Sequence, residues 1–128
     1  MIYIDSSVVL AELLMEDRRP NRALWNETLV SSRLLEHEVW NRLHARGLGP
    51  LRGDDIRLVL SQVDMYELAP DYLERALHPF PISVRTLHSL HLATLDFLRR
   101  EVRDVTLASY DLRLLAAAAA LGIGAAAP

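Results

Sequence analysis

Two short apolar stretches that each run into an aspartate constrain the fold of this chain most. Residues 2–4 lead directly into Asp5, and residues 105–109 lead through Tyr110 into Asp111. A helix-forming run follows each acid. In open α/β sheets, sites are built outside the carboxyl ends of the strands. If both stretches are strands of one parallel sheet, Asp5 and Asp111 emerge at the same edge of it.

Strand-like and helix-like segments alternate along the rest of the sequence. Strands are predicted at residues 2–4 and 105–109, with two further candidates at 28–30 and 65–68. Helices are predicted at residues 7–16, 21–26, 33–46, 53–63, 70–77, 84–102 and 112–121, from apolar periodicity and from capping residues such as Ser83 and Gly122. This order predicts an α/β protein with three α/β/α layers and a mainly parallel sheet of four to five short strands. Residues 1–128 are expected to form one domain, with a loose tail at 124–128.

Composition limits the classes of function. The 128 residues are half hydrophobic and carry a net charge of −3, so contact with RNA or DNA needs a local basic patch. Cysteine is absent, which excludes disulfides and thiol chemistry and fits a cytoplasmic location. No basic leader precedes the first apolar run, and residues 114–123 are too short a run to cross a bilayer, so no membrane association is expected.

Helical geometry separates acids that border the core from acids that face water. In the helix predicted at 33–46, Val39 and Leu43 belong to the apolar stripe, and Glu38 borders it. Glu36 lies farther from the centre of the stripe. A carboxylate beside the core is unfavourable unless something pairs with it, so Glu38 is the stronger candidate for a site.

The longest predicted helix, 84–102, carries two histidines with different settings. His91 lies in the middle of the inward stripe, where a packed and hydrogen-bonded core histidine is the simplest interpretation. His88 lies on the flank of the stripe. Asp96 lies on the opposite side and is predicted to be solvated.

Each candidate acid also has a purely structural interpretation. Asp5 and Asp111 can be helix N-terminal caps, and Glu38 can pair with Arg42 one turn away. Their convergence favours a site instead: three carboxylates in one pocket repel each other unless a divalent cation such as Mg²⁺ or Mn²⁺ lies between them.

Four sequence blocks together resemble a known family. They are residues 2–7 (Ile-Tyr-Ile-Asp-Ser-Ser), 32–38 (Ser-Arg-Leu-Leu-Glu-His-Glu), 85–94 (Arg-Thr-Leu-His-Ser-Leu-His-Leu-Ala-Thr) and 109–114 (Ser-Tyr-Asp-Leu-Arg-Leu). In this order and spacing they resemble the PIN-domain ribonucleases, specifically the VapC-type toxins of type II toxin–antitoxin systems. The resemblance spans nearly the whole chain and implies a PIN-like fold.

The resemblance also implies roles for particular residues. Asp5, Glu38 and Asp111 match the acids that gather a metal ion, either Mg²⁺ or Mn²⁺. Ser109 matches a hydroxyl position that supports the site, and Ser6 lies beside the first ligand. The implied activity is metal-dependent cleavage of RNA by an activated water. The implied partners are a small VapB-like antitoxin and a second copy of the chain.

One position departs from the family pattern. The long-helix motif of the family carries an aspartate of the site where this sequence has His88. Imidazole removes one negative charge and suits Mn²⁺ or Zn²⁺ better than Mg²⁺. Three interpretations follow: His88 binds a metal, His88 hydrogen-bonds a metal-bound water, or His88 has silenced the site.

An acidic site on an acidic protein needs nearby cations to admit RNA, and Arg85 and Arg42 are the candidates for contact with phosphate. The rival hypothesis is a catalytically weakened PIN domain that binds an antitoxin or RNA without efficient cleavage. A receiver-like or dehalogenase-like aspartate site is disfavoured, because no Asp-x-Asp follows the first strand and no suitably placed lysine is visible.

Overall fold

The computed structural model describes residues 1–15, 17–102 and 104–128, and its centre is a four-stranded parallel sheet. The strands are β1 (Ile2–Ile4), β2 (Leu29–Ser32), β3 (Val63–Tyr66) and β4 (Thr106–Ala108). Their order across the sheet is β3-β2-β1-β4, and every neighbouring pair is parallel. β1 and β4 are adjacent, with Ile4 opposite Ala108, so the residues that follow both strands emerge side by side.

Helices make up the two outer layers. They are α1 (Ser6–Leu13), α2 (Leu34–Ala45), α3 (Gly49–Leu60), α4 (Pro70–Ala76), α5 (Thr86–Val102) and α6 (Leu112–Ala120), with a 3-10 helix at Arg22–Asn26. The predicted α/β class and three-layer arrangement are confirmed. The predicted end of the first helix at residue 16 lies outside the described residues. In the described parts of the chain, no helix combines the length and apolar character needed to cross a membrane.

Alternating strand residues divide the core into two layers. Ile4 and Leu29 face α1, α2 and α3. Their direct neighbours in sequence, Tyr3 and Val30, face α5 and α6 on the other side of the sheet. This alternation is the period of two that a pleated strand imposes. Because both faces are covered, nearly every residue of β1 and β2 is buried, as the continuous apolar sequence of β1 predicted.

Several element boundaries differ from the predicted ones. Helix α3 begins at Gly49 rather than residue 53, and Pro50 lies in its first turn, where its missing N–H group is tolerated. The third strand begins at Val63 rather than residue 65, because its pairing with Leu29 sets the register. The long helix begins at Thr86, and Ser83 does not cap it; the backbone carbonyl of Arg85 accepts the first helical hydrogen bond, from Ser89.

The predicted loose tail is wrong. The N–H group of Leu107 donates to the carbonyl of Gly124, and the N–H group of Ala126 donates to the carbonyl of Leu107. Ala125 thereby forms a parallel bridge with β4. The outer edge of β4 would otherwise leave unpaired backbone groups, and the tail covers them.

Asp96 is buried in an ion cluster rather than solvated as predicted. Its side chain is 1% exposed, and its carboxylate accepts hydrogen bonds from Arg75 (3.2 Å), Arg99 (2.7 Å) and Arg100 (3.1 Å). Arg75 belongs to α4, which packs against the side of α5 that the helical pattern left facing water. Burial alone raises the pKa of Asp96, but the hydrogen bonds from Arg99 and Arg75 and the charge of Arg100 outweigh it, so the pKa lies below its ordinary value.

Asp96→Asn is expected to destabilise the protein by about 2 kcal/mol, less than the roughly 3–5 kcal/mol typical of a fully buried pair, because the arginines remain partly hydrated. Since the folded pKa is lowered, the stabilisation is present above the unfolded pKa of about 4 and is lost as pH falls through the folded value. Urea unfolding at neutral pH and in acid measures both effects.

The matched control is Asp55→Asn, which removes an exposed pair with Arg52 and is expected to cost less than about 1 kcal/mol. Equal losses for the two variants, or a difference that does not shrink in acid, would contradict a stabilising role for the Asp96 cluster.

Candidate active site

A cavity of about 720 Å³ opens at the carboxyl edge of the sheet, where α1, α2 and the first turn of α5 meet. Seven of the eight predicted site residues line it: Asp5, Ser6, Glu38, Arg42, Arg85, His88 and Asp111. The eighth, Ser109, lies behind the wall and contacts Asp5. The cavity is also lined by four residues that were not predicted as part of the site: Ser7, Leu10, Thr86 and Leu87.

Asp5 is a buried carboxylate held by two hydroxyl groups. Its side chain is not a helix cap, because it makes no capping hydrogen bond to the first turn of α1. Instead Ser7 Oγ donates to Oδ1 at 2.6 Å and Ser109 Oγ donates to Oδ2 at 3.0 Å. Burial raises the pKa of Asp5 above its ordinary value, the hydrogen bonds from the two serines oppose that rise, and the nearby carboxylate of Glu38 adds to it. A positive charge in the cavity would therefore favour the ionised form of Asp5.

Ser7 joins the two halves of the site, although the sequence analysis missed it. Besides donating to Asp5, its oxygen accepts the backbone N–H of Tyr110 at 3.0 Å and lies 3.4 Å from Ser109 Oγ. This fixes the loop after β4 against the start of α1. The available signal was a hydroxyl two residues beyond Asp5, on the first turn of the following helix.

Asp111 is both a helix cap and a cavity residue. Its Oδ1 accepts the backbone N–H of Leu114 at 3.0 Å, which is the N-cap arrangement considered for it. Its Oδ2 lies 3.4 Å from Nε2 of His88. Nδ1 of His88 is buried and has no hydrogen-bond partner among the described residues. His88 therefore directs Nε2 at one of the candidate metal-binding acids, while Nδ1 points into the protein.

Glu38 is held by a buried histidine rather than by the arginine one turn away. Nε2 of His91 donates to Glu38 Oε1 at 2.5 Å, and no ion pair joins Glu38 to Arg42. His91 is 1% exposed, and its Nδ1 lies 2.7 Å from the hydroxyl of Tyr3. The Tyr3 oxygen also accepts the N–H of Ser32 at 3.1 Å. Because burial raises the pKa of Tyr3, its hydroxyl keeps its proton and can donate to His91.

His91 thus matches its predicted character as a packed, hydrogen-bonded core histidine, and it also orients a residue of the site. Tyr3 was read only as a strand residue. Tyr3 lies in the core layer beside α5, where its hydroxyl contacts His91. The signal for this role was a tyrosine on a buried strand, because a buried tyrosine hydroxyl needs a hydrogen-bond partner.

Two arginines balance part of the negative charge of the cavity. Arg42 lines it from α2, and Arg85 lines it from the residue that precedes α5. Both are exposed, and neither forms an ion pair within the described residues. Ser6 lines the cavity beside Asp5 but has no hydrogen bond from its hydroxyl to the described residues.

The oxygen ligands that the cavity offers are of the type that a hard divalent cation prefers. Asp5, Glu38 and Asp111 offer carboxylate oxygens, and Glu38 Oε2 and Asp111 Oδ2 accept no hydrogen bond from the described residues. As they stand, however, no three Asp, Glu, His or Cys side chains of the described chain form a ready-made metal cluster. The three carboxylates line one cavity, where a cation would reduce their mutual repulsion, but their oxygens do not converge on a single point.

The fold is similar to a solved structure. The crystal structure of PAE2754 from Pyrobaculum aerophilum superposes with a TM-score of 0.59 at 19% sequence identity, over 91% of this chain and 78% of that chain. At this identity the likeness concerns the fold alone. No model of a protein family matches the sequence, and no curated protein matches it.

Tyr3→Phe is expected to lower the free energy of unfolding by about 2 kcal/mol, because it leaves His91 Nδ1 and the Ser32 N–H buried without a partner. The matched control is Tyr72→Phe, since the Tyr72 hydroxyl has no hydrogen bond to the described residues and its ring keeps its contact with Phe97. That control should change stability by less than about 0.5 kcal/mol. Denaturant unfolding measures both, and a Tyr3 variant as stable as the control would refute the hydrogen-bonded chain.

Proposed function

We propose that this protein is a metal-dependent endoribonuclease of the PIN-domain type, as its resemblance to VapC-type toxins suggests. The observation that supports the proposal best is the shared cavity of Asp5, Glu38 and Asp111, which come from three separate segments of the chain. Carboxylates gathered at the carboxyl edge of a parallel sheet are a common basis for a catalytic site.

Asp5, Asp111 and Glu38 are the residues that would hold the cation, Mg²⁺ or Mn²⁺. When bound, such an ion supplies Lewis acidity and lowers the pKa of a water molecule. The rest of the chemistry belongs to the chain itself. Two serine hydroxyls keep the Asp5 carboxylate in one orientation, which limits the reorganisation needed on binding a charged ligand.

In this proposal Glu38 orients the attacking water molecule or accepts a proton from it. His91 occupies its Oε1, which leaves Oε2 of this cavity-lining residue for a water molecule. The hydrogen bond from a buried imidazole fixes the carboxylate, which is what proximity and orientation require of a general base. Arg42 and Arg85 can pair with phosphate oxygens on either side of the bond that is cleaved.

The proposed biological context follows from the resemblance. The substrate is RNA, the inhibitor is a small VapB-like antitoxin, the active form is a homodimer, and the location is cytoplasmic. These features belong with the nuclease proposal and are tested separately from it.

A second function is supported by the position of His88. Its Nε2 lies 3.4 Å from Asp111 Oδ2, so imidazole and cation compete for the same carboxylate. The side chain also replaces the family's acid with a softer ligand. The alternative is a catalytically weakened PIN domain that acts by binding an antitoxin or RNA without efficient cleavage.

Asp5→Asn and Asp111→Asn are each expected to lower metal-dependent RNA cleavage about 100-fold or more, because each removes a charged oxygen from the cavity. The measurement is cleavage of a labelled RNA mixture by antitoxin-free protein with Mg²⁺, Mn²⁺ or a chelator. Asp64→Asn, an exposed acid on β3, is the matched control and should cleave like the wild type. Cleavage that needs neither metal nor these aspartates would refute the proposal.

His88→Asp is expected to raise Mg²⁺-supported cleavage about tenfold, because it restores an oxygen ligand and removes the imidazole beside Asp111. His37→Asp, at an exposed position of α2, is the control for a new acid on a helix surface. Cleavage by the His88 variant alone would favour the binding function for the natural chain. Cleavage by the wild type that falls in the His88 variant would instead show that the imidazole is used.

A further inference from the structure

A second, smaller cavity of about 200 Å³ adjoins the acidic one and has the opposite charge. Ser7, Leu10 and Arg42 line both cavities. The remaining lining residues of the smaller one are Leu14, Arg18, Arg46 and Tyr110. We name Arg18, Arg42, Arg46 and Tyr110 the arginine trough. Among the described residues, it contains three arginines and no acidic residue.

Helix α2 aligns the trough with the candidate active site. Glu38 and Arg42 on α2 and Arg46, which caps its C-terminus, follow one another at intervals of four residues, so they lie on one face, each about 6 Å farther along the axis. Glu38 lines the acidic cavity, Arg42 lines both cavities and Arg46 lines only the trough. The trough therefore extends away from the acids in a defined direction.

The arginines of the trough differ from most other arginines of the chain. Seven others pair with Asp or Glu within 4.0 Å: Arg19, Arg33, Arg52, Arg57, Arg75, Arg99 and Arg100. In the described part of the chain, no such pair involves Arg18, Arg42 or Arg46. Arg18 lies instead over the ring of Tyr110, 5.0 Å from its centroid, which limits where its guanidinium group can point.

Solvated surface arginines are the ordinary explanation for unpaired guanidinium groups. Here, three of them converge on one concavity that shares a wall with three carboxylates, and none turns toward those acids to pair. Like charges held this close raise the potential of a cleft and attract an anion with several charges. Guanidinium groups match phosphate in a planar, two-point fashion.

We infer that the arginine trough binds the sugar–phosphate backbone of single-stranded RNA, directly beside the bond that the acidic cavity would cleave. The inference rests on the proposed nuclease function and adds the path of the substrate. The strand passes from Arg85, across the carboxylates, to Arg42 and then to Arg46 and Arg18. The trough reads phosphate rather than base, so it supplies affinity without sequence preference.

The path also explains how an acidic protein can admit a polyanion. The chain has a net charge of −3, and three of its carboxylates lie together at the point of contact. Binding there without a cationic neighbour would be repulsive. The trough places the compensating charge next to the acids, outside the space that a metal ion would need.

The test is binding of a short, fluorescently labelled uridine homopolymer to the full chain in chelator, where no metal-dependent cleavage occurs, measured by anisotropy over a range of salt concentrations. Arg46→Gln and Arg18→Gln should each weaken binding about fivefold at about 0.1 M salt and reduce the slope of log K against log salt by about 0.7. Arg22→Gln is the matched control, because Arg22 is exposed, unpaired among the described residues and outside the trough. Arg22→Gln should change neither quantity.

Equal affinities and slopes for the trough variants and the Arg22 variant would overturn the inference. It would also be overturned if the trough variants lost affinity for a labelled polyglutamate peptide but not for the RNA. Cleavage with Mg²⁺ or Mn²⁺ separates the two proposals: a wild type that binds through the trough but never cleaves refutes only the nuclease. Cleavage in which KM is unchanged by Arg46→Gln and Arg18→Gln refutes only the trough.

Discussion

The buried carboxylate of Asp5 is the constraint on which the rest of the site depends. A carboxyl group that is 3% exposed is tolerated only where hydrogen bonds replace its water, and the serines at positions 7 and 109 supply them. To bring both hydroxyls to one carboxylate, the loop after β4 must lie against the first turn of α1. The parallel pairing of β1 with β4 makes that possible. The hydrogen bonds to this one buried carboxyl group therefore fix the geometry of the sheet edge, and with it the cavity that opens there.

A second polar contact links the helical layers through the sheet. His91 lies on α5, Glu38 on α2 and Tyr3 on β1, and the imidazole bridges the other two. In an interior of low polarity, such a chain is favourable only if every member is satisfied, and Ser32 completes it through its backbone N–H. The same hydrogen bonds that hold the layers in register orient the carboxylate that faces the cavity. Stability and site geometry are therefore not separable in this part of the molecule.

The sequence-based predictions succeeded where they depended on local interactions and failed where they depended on contacts between remote segments. Strand period, the acids after β1 and β4, and the inward lean of Glu38 depend on local geometry, and all of them appear in the structure. Asp96 was misplaced because a helical pattern shows which side faces the sheet, but not that α4 covers the opposite side. The contact of Ser7 with the loop after β4 was missed for a similar reason, since Ser109 and Tyr110 are remote from it in sequence.

The sequence by itself determined the class of fold, the edge at which a site would form and the acids that would lie there, because alternation along a strand and periodicity along a helix are properties of short segments. Only the tertiary structure decided what each acid does. Asp111 caps a helix and also faces His88. The Asp5 side chain caps no helix and is held by serine hydroxyls instead. Glu38 pairs with His91 rather than with the arginine one turn away. The reason is physical: a buried polar group must find a partner, and which partner lies within 3 Å is set by the packing of segments that are far apart in the chain.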